Sequence, residues 1–188
     1  MTLRTALFAA ALLLSTDRTL SQSKPSTLDK SPMDMCYFPT DYPVLKIQDK
    51  TPGPLIARAI YSRPQKNGRK LFGELVEYGK VWRLGANEAT ELEFFQDVKI
   101  DNKKVKKGRY TVYALVDTDK WTILLNKETD TWGAFRYDST KDVVRTSVPV
   151  EKQSEIAEAF SMDFEKTKNG AQLVITWDDV LVKLPITW

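Results

Sequence analysis

From Val44 to Ile186, apolar residues recur in short runs with a period of two, separated by glycine, asparagine and aspartate turn signals. Leu92 and Phe94 alternate with Glu91 and Glu93, and Phe160, Met162 and Phe164 alternate with Ser161, Asp163 and Glu165. Tyr110–Val116 and Trp121–Asn126 flank an Asp117-Thr118-Asp119 turn, and Val98 and Ile100 end at Asp101-Asn102. Asn169-Gly170, both of which accept positive φ, joins the Phe160 run to Leu173, Ile175 and Trp177. Further strands are expected at Val44–Ile47, Pro54–Ile60, Trp132–Tyr137, Val143–Val150 and Val180–Ile186. The one candidate helix is Glu151–Ala159, so the crossovers that a parallel sheet requires have no source. The expected fold is all-β: a single-domain antiparallel β-sandwich, jelly-roll-like or an open barrel, with eight or nine strands.

One stretch breaks this rhythm. Tyr61–Thr90 holds four of the eight glycines (Gly68, Gly73, Gly79 and Gly85) and has neither strand nor helix periodicity. Structureless connections of this length are uncommon in compact domains, and are usually functional or disordered. Its leucine, phenylalanine, valine, tyrosine and tryptophan content argues against disorder. It is expected to be one long ordered loop that presents polar side chains.

The N-terminus reads as a secretory signal over residues 1–21, with Arg4 ahead of the apolar run Ala6–Leu14 and Thr19-Leu20-Ser21 near the cleavage point. That run is too short to span a bilayer, which takes about twenty helical residues. Residues 22–42 carry no periodicity and read as an extended arm; the sandwich is assigned to residues 43–188. The expectation is an exported protein, periplasmic or extracellular, without membrane insertion and monomeric. Cys36 is the only cysteine, so no internal disulfide can form, and a buried, inert thiol is expected.

Composition removes much chemistry. There is no histidine, which excludes Ser-His-Asp and Cys-His nucleophile systems and leaves the usual zinc, copper and iron sites without their commonest ligand. Asp117, Asp119 and Asp178-Asp179 are the tight acidic clusters, and they read as turn chemistry rather than metal ligands. No phosphate-cradling glycine loop occurs, and no cofactor is expected. With 28 basic against 25 acidic residues and no basic stripe interleaved with aromatics, nucleic acid is not an expected partner. The run Lys103-Lys104-Val105-Lys106-Lys107 reads as a solvated hairpin turn.

Arginine, tryptophan, amide and carboxylate chemistry remains. Trp82, Arg83, Asn87 and Glu88 fall just before a strand, with Gly85 allowing a sharp turn between them. Two readings stand side by side. Arg83, Glu88 and Asn87 form a network that only shapes the loop, or they line a pocket on which Arg63 and Arg69 converge. Trp132-Gly133-Ala134-Phe135-Arg136-Tyr137 is a second cluster, in which the Trp-Gly step leaves an indole face open for a sugar. Trp132 and Arg136 join the candidate ligand-binding set, and core or edge packing of an aromatic strand is the alternative there.

Tyr61-Ser62-Arg63-Pro64, Gly68-Arg69, Phe72-Gly73, Leu75-Val76, Tyr78–Arg83, Gly85–Thr90, Lys107–Tyr110, Trp121-Thr122 and Trp132–Phe135 together resemble a secreted bacterial family known as domain of unknown function 2911, frequent in Bacteroidetes. The resemblance runs from about Leu45 to the C-terminus. It implies an exported β protein and brings no reaction, ligand or site residue with it.

Three functions are compatible with these residues. The first is a non-catalytic binding domain for a small polar ligand, anionic or saccharide. The second is a structural or assembly module of the cell envelope, whose N-terminal arm adds to a partner's sheet edge. The third is a metal-independent hydrolase or lyase, with Glu88 as acid or base and Arg83 as electrophile.

Overall fold

The computed structural model describes residues 25–188, so the signal assigned to residues 1–21 lies outside the described residues. Ten strands form an antiparallel architecture: β1 (Met33–Phe38), β2 (Ala57–Ser62), β3 (Val81–Trp82), β4 (Glu91–Phe94), β5 (Val98–Ile100), β6 (Lys103–Val105), β7 (Gly108–Val116), β8 (Lys120–Asn126), β9 (Asp142–Thr167) and β10 (Gly170–Thr187). The hydrogen-bonded order is β1-β2-β4-β7-β8-β9-β10-β5-β6, with β3 on β7. β9 is long enough to belong to two layers. Its first residues pair with β8, and the remainder forms a hairpin with β10. Irregular register around Asp178, which has a φ of 57°, accompanies the bend. The path ends at β1 and β6 without closing, which makes this a sandwich-like single domain rather than a closed barrel.

The alternation read from the sequence orients the strands. Leu92 and Phe94 are fully buried while Glu91 and Glu93 lie at intermediate depth, and Phe160, Met162 and Phe164 face the core. At the centre, Trp82 stacks on Trp177 (5.9 Å, 14°), and Trp121, Phe160 and Phe72 meet Trp82 edge-on. Each such side chain contributes about 1.5–3 kcal/mol through burial alone.

Five local expectations need correction. Val44–Ile47 is not a strand: Tyr42–Ile47 is a short helix with proline in its first turn, and it buries no residue. Glu151–Ala159 is not a helix but the middle of β9, where pairing with β10 overrides local propensity. Lys103–Val105 is strand β6, and the turn before it is Asp101-Asn102 with φ of 51° and 58°. Trp132–Tyr137 forms turns instead of a strand, with Asp130 and Gly133 both at positive φ. At the β9–β10 hairpin, Thr167 pairs with Gly170, so the turn residues are Lys168 and Asn169. Gly170 serves another need: a Cβ there would lie 2.2 Å from the carbonyl oxygen of Ile186. The two ends of β10 therefore touch.

The arm is also more ordered than its composition suggests. Met33–Phe38 pairs along its whole length with β2, and Cys36 and Phe38 are buried.

Candidate functional site

The loop that follows β2 returns through β3, which docks on the same edge of β7 that β4 uses further along. Arg83–Thr90 is thus a protrusion between two strand segments on one line. The Thr90 N–H donates to the Arg83 carbonyl at 3.1 Å, and the Thr90 hydroxyl donates to the Leu84 carbonyl, closing the base of the protrusion. Leu84 (φ 53°), Gly85 (φ 145°) and Asn87 (φ 58°) supply the reversal. The buried Ser62 hydroxyl holds the turn from β2, donating to the Ala86 carbonyl and accepting from the Ala86 N–H, both at 2.6 Å.

The tip of this turn reaches the second cluster. Glu88 and Trp132 form an antiparallel bridge, Ala89 N–H donates to the Thr131 carbonyl (3.0 Å), and Gly133 N–H donates to the Asn87 carbonyl (2.9 Å). Asn87, Glu88, Trp132 and Arg136 are therefore brought to one end of the molecule. Beside them, Glu128, Asp130, Thr131, Trp132, Phe135, Arg136 and Lys141 line a cleft of about 610 Å³. Trp132 is 61% exposed and Phe135 85% exposed, so two aromatic faces meet solvent within four residues. Gly133 sits between them, and a Cβ there would lie 2.7 Å from the Phe135 ring.

The base of this cleft is pinned. Asn126, almost fully buried, accepts from the Glu128 N–H and donates to Asp138 and Asp142. Asp130 receives Arg109 at 2.5 Å, and its N–H donates to Glu91 at 2.9 Å. Tyr113 and Thr131 share a hydroxyl hydrogen bond of 3.1 Å. Lys141 pairs with Glu128. Both lining carboxylates, Glu128 and Asp130, already have cations, whereas Arg136 forms no ion pair among the described residues. The cleft thus offers two ring faces and one uncommitted positive charge.

The other sequence candidates lie elsewhere. Trp82 belongs to the core, where its indole N–H donates to the Gly85 carbonyl. Arg69 turns back on its own loop, donating to the Gln65 and Lys66 carbonyls. Arg63 pairs with Asp34 at 2.9 Å and reaches the Phe160 carbonyl and the Ser161 hydroxyl, tying β2 and β1 to β9. Arg83 and Glu88 do not pair. Glu88 is exposed and lines a smaller hollow with Met33, Ile60, Glu91 and Asp130. Arg83 is half-buried, its Nε is enclosed without a hydrogen-bond partner, and burial lowers its pKa from the usual range. An unpaired enclosed donor of this kind costs roughly 1–3 kcal/mol.

Sequence reasoning missed Phe135. A strand over Trp132–Tyr137 puts Phe135 on the face opposite Trp132, whereas the turn exposes both. The signal was the Asp130 and Gly133 pair of turn formers, read as loop and strand in place of two successive turns.

Among the described residues, no cluster of histidine, cysteine, aspartate and glutamate is placed to hold a metal ion, and no helix is long and apolar enough to cross a membrane. A family model described as a protein of unknown function (DUF2911) matches residues 46–186, most of the chain, and the chain belongs to that family. No curated protein and no solved structure matches it.

Proposed function

We propose that this member of the DUF2911 family is a binding domain for a small acidic saccharide, held in the cleft at Trp132, Phe135 and Arg136. The observation that carries the reading is the pairing of two solvent-facing aromatic rings with an arginine that no carboxylate meets among the described residues. Aromatic faces take the apolar side of a sugar ring, and a guanidinium grips a carboxylate or sulfate through two parallel hydrogen bonds. The hydrogen bonds beneath the cleft hold the site in place before a ligand arrives, which lowers the ordering cost of binding.

Other observations weigh against the alternative functions. Glu88 is exposed and does not pair with Arg83, and the two carboxylates that share its hollow, Glu91 and Asp130, are both held by Arg109. The segment Met33–Phe38 pairs with its own β2, which leaves less of the arm free for a partner's sheet edge.

Calorimetric titration of an oligouronate and its neutral counterpart tests the reading. The acidic sugar is expected to bind at least about tenfold tighter, the factor that about 1.4 kcal/mol of charge-assisted contact gives. Trp132→Ala should weaken both ligands, and Arg136→Ala only the acidic one. If neither sugar binds, or if Trp132→Ala binds like the wild type, the reading fails.

A further inference from the structure

Seven arginines lie among the described residues, and their partners sort them into three states. Arg58, Arg63, Arg109 and Arg145 hold carboxylates, and Arg69 holds two backbone carbonyls. Arg136 is exposed, so water solvates it. Arg83 fits neither description. It is half out of solvent, its Nε is fully enclosed with no acceptor, and no carboxylate among the described residues approaches it. Arg58 also has an unpartnered Nε, but Glu93 meets its charge at 2.5 Å. Arg83 has no such compensation.

Its position shows what surrounds it. Val81 pairs with Leu115 and Trp82 with Ala114, and Trp82 points into the core. Arg83 comes next, so strand alternation puts it on the outer face of the sheet with Val81. Extending the register sets it beside Tyr113. That face carries a second apolar cluster of Ala89, Tyr113 and Leu124, covered by Ala134 and Tyr137 from the loop whose other side forms the aromatic cleft. A charged group is thus placed at the rim of an apolar patch, where water screens it weakly and an incoming anion is held strongly.

We propose that Arg83 is the anchor of an oxyanion site, separate from the aromatic cleft, that takes one carboxylate, phosphate or sulfate group on the outer face of β3 and β7. The planar guanidinium fork fits any of these end-on, through two parallel hydrogen bonds from its terminal nitrogens, since the enclosed Nε lies out of an anion's reach. The site does not depend on the saccharide reading of the neighbouring cleft.

The test titrates phosphate, sulfate and acetate separately into the full chain, against chloride at matched ionic strength. Melting temperature and the Arg83 Nε–Hε nuclear magnetic resonance signal are followed together. At least one anion should raise the melting point saturably, by about 5–10 °C at a concentration one hundredfold above its Kd. The Nε–Hε signal, assigned by its loss in Arg83→Lys, should move over the same concentration range. The anion with the lowest Kd identifies the source. Arg83→Met, which keeps the length of the stem, should lose the response, and Arg136→Ala should keep it. If no anion moves the wild-type signal saturably, water alone meets Arg83 and the proposal is overturned. It is overturned equally if Arg83→Met responds like the wild type, or if Arg136→Ala abolishes the response. Should Arg83→Met not fold, the wild-type resonance decides.

Discussion

The backbone N–H of Gly133 donates to the carbonyl of Asn87 at 2.9 Å, joining two segments that lie more than forty residues apart in the chain. Both residues have positive φ, 68° and 58°. The contact is therefore a meeting of two tight turns, and it fixes where Trp132 and Phe135 stand relative to the protrusion after β3.

Gly133→Ala is expected to move the site more than it unsettles the fold. The new methyl would strike the exposed Phe135 ring, which can swing away, while the left-handed backbone costs about 1–2 kcal/mol. Oligouronate affinity should fall by about tenfold with a modest drop in melting temperature. Unchanged affinity would mean that Phe135 is not part of the site.

Ser62→Ala should loosen the whole protrusion. The hydroxyl is the hydrogen-bond partner of both polar groups of Ala86, and its loss leaves them unpaired at a cost of about 1–3 kcal/mol. Urea denaturation should show a lower midpoint with an unchanged slope, and limited proteolysis should cut within residues 83–90. A midpoint equal to that of the wild type would show that Gly85 and its neighbours hold the turn alone.

Trp82 and Trp132 separate core from surface. Trp82→Ala removes the ring that stacks on Trp177 and should cost about 3–5 kcal/mol. Trp132→Ala should change stability by no more than about 0.5 kcal/mol. Chemical denaturation of the two variants in parallel checks the contrast, and similar losses in both would contradict the burial pattern.

Alkaline pH should destabilise the fold in steps. Burial, and next the charge of Asp163, push the Cys36 thiol from 9.0 up to about 12. Burial also raises Tyr61 from 10.0 to about 12, and burial followed by the hydrogen bond to Asp142 does the same for Tyr137. All three folded-state values are raised, so the unfolded chain gives up these protons first. Their contribution to stability is complete below pH 9 and declines as pH climbs from 9 toward 12. Urea midpoints across this range should fall, and Cys36→Ala should flatten the portion between pH 9 and 10. A profile unaltered by that substitution would place the thiol in water.

Where one face of a strand is buried and the other is not, the sequence carried the fold. Leu92 and Phe94 against Glu91 and Glu93 is such a case, and the structure keeps that alternation. Legibility failed where local chemistry and tertiary pairing disagree. Glu151–Ala159 looks helical in isolation, yet a strand on one side decides its conformation. Met33–Phe38 lacks strict alternation because it sits at an edge, where Met33 and Met35 remain partly exposed.

The candidate site was half legible for a related reason. Residue types marked Trp132, Arg136, Asn87 and Glu88, and the bridge between Glu88 and Trp132 does bring these segments together. Arg63 and Arg69 share the same chemistry but are consumed by Asp34 and by backbone carbonyls, a matter of long-range placement that spacing does not encode. The Arg83–Glu88 pair of one reading does not form, because Arg83 stays at the base of the protrusion while the bridge to Trp132 draws Glu88 to its tip.

The contact between Gly170 and Ile186 bears on how the chain is made. Because β10 curls until its start meets its end, and because β10 supplies Leu173, Ile175, Trp177, Val182 and Leu184 to the interior, the core stays incomplete until the last strand is available. A chain in which these residues are not yet free to fold has β8 for the first part of β9, but no partner for the part from Val150 to Thr167. Until β10 is in place the β9–β10 layer cannot form, so closure of the core waits on the strand furthest along the chain.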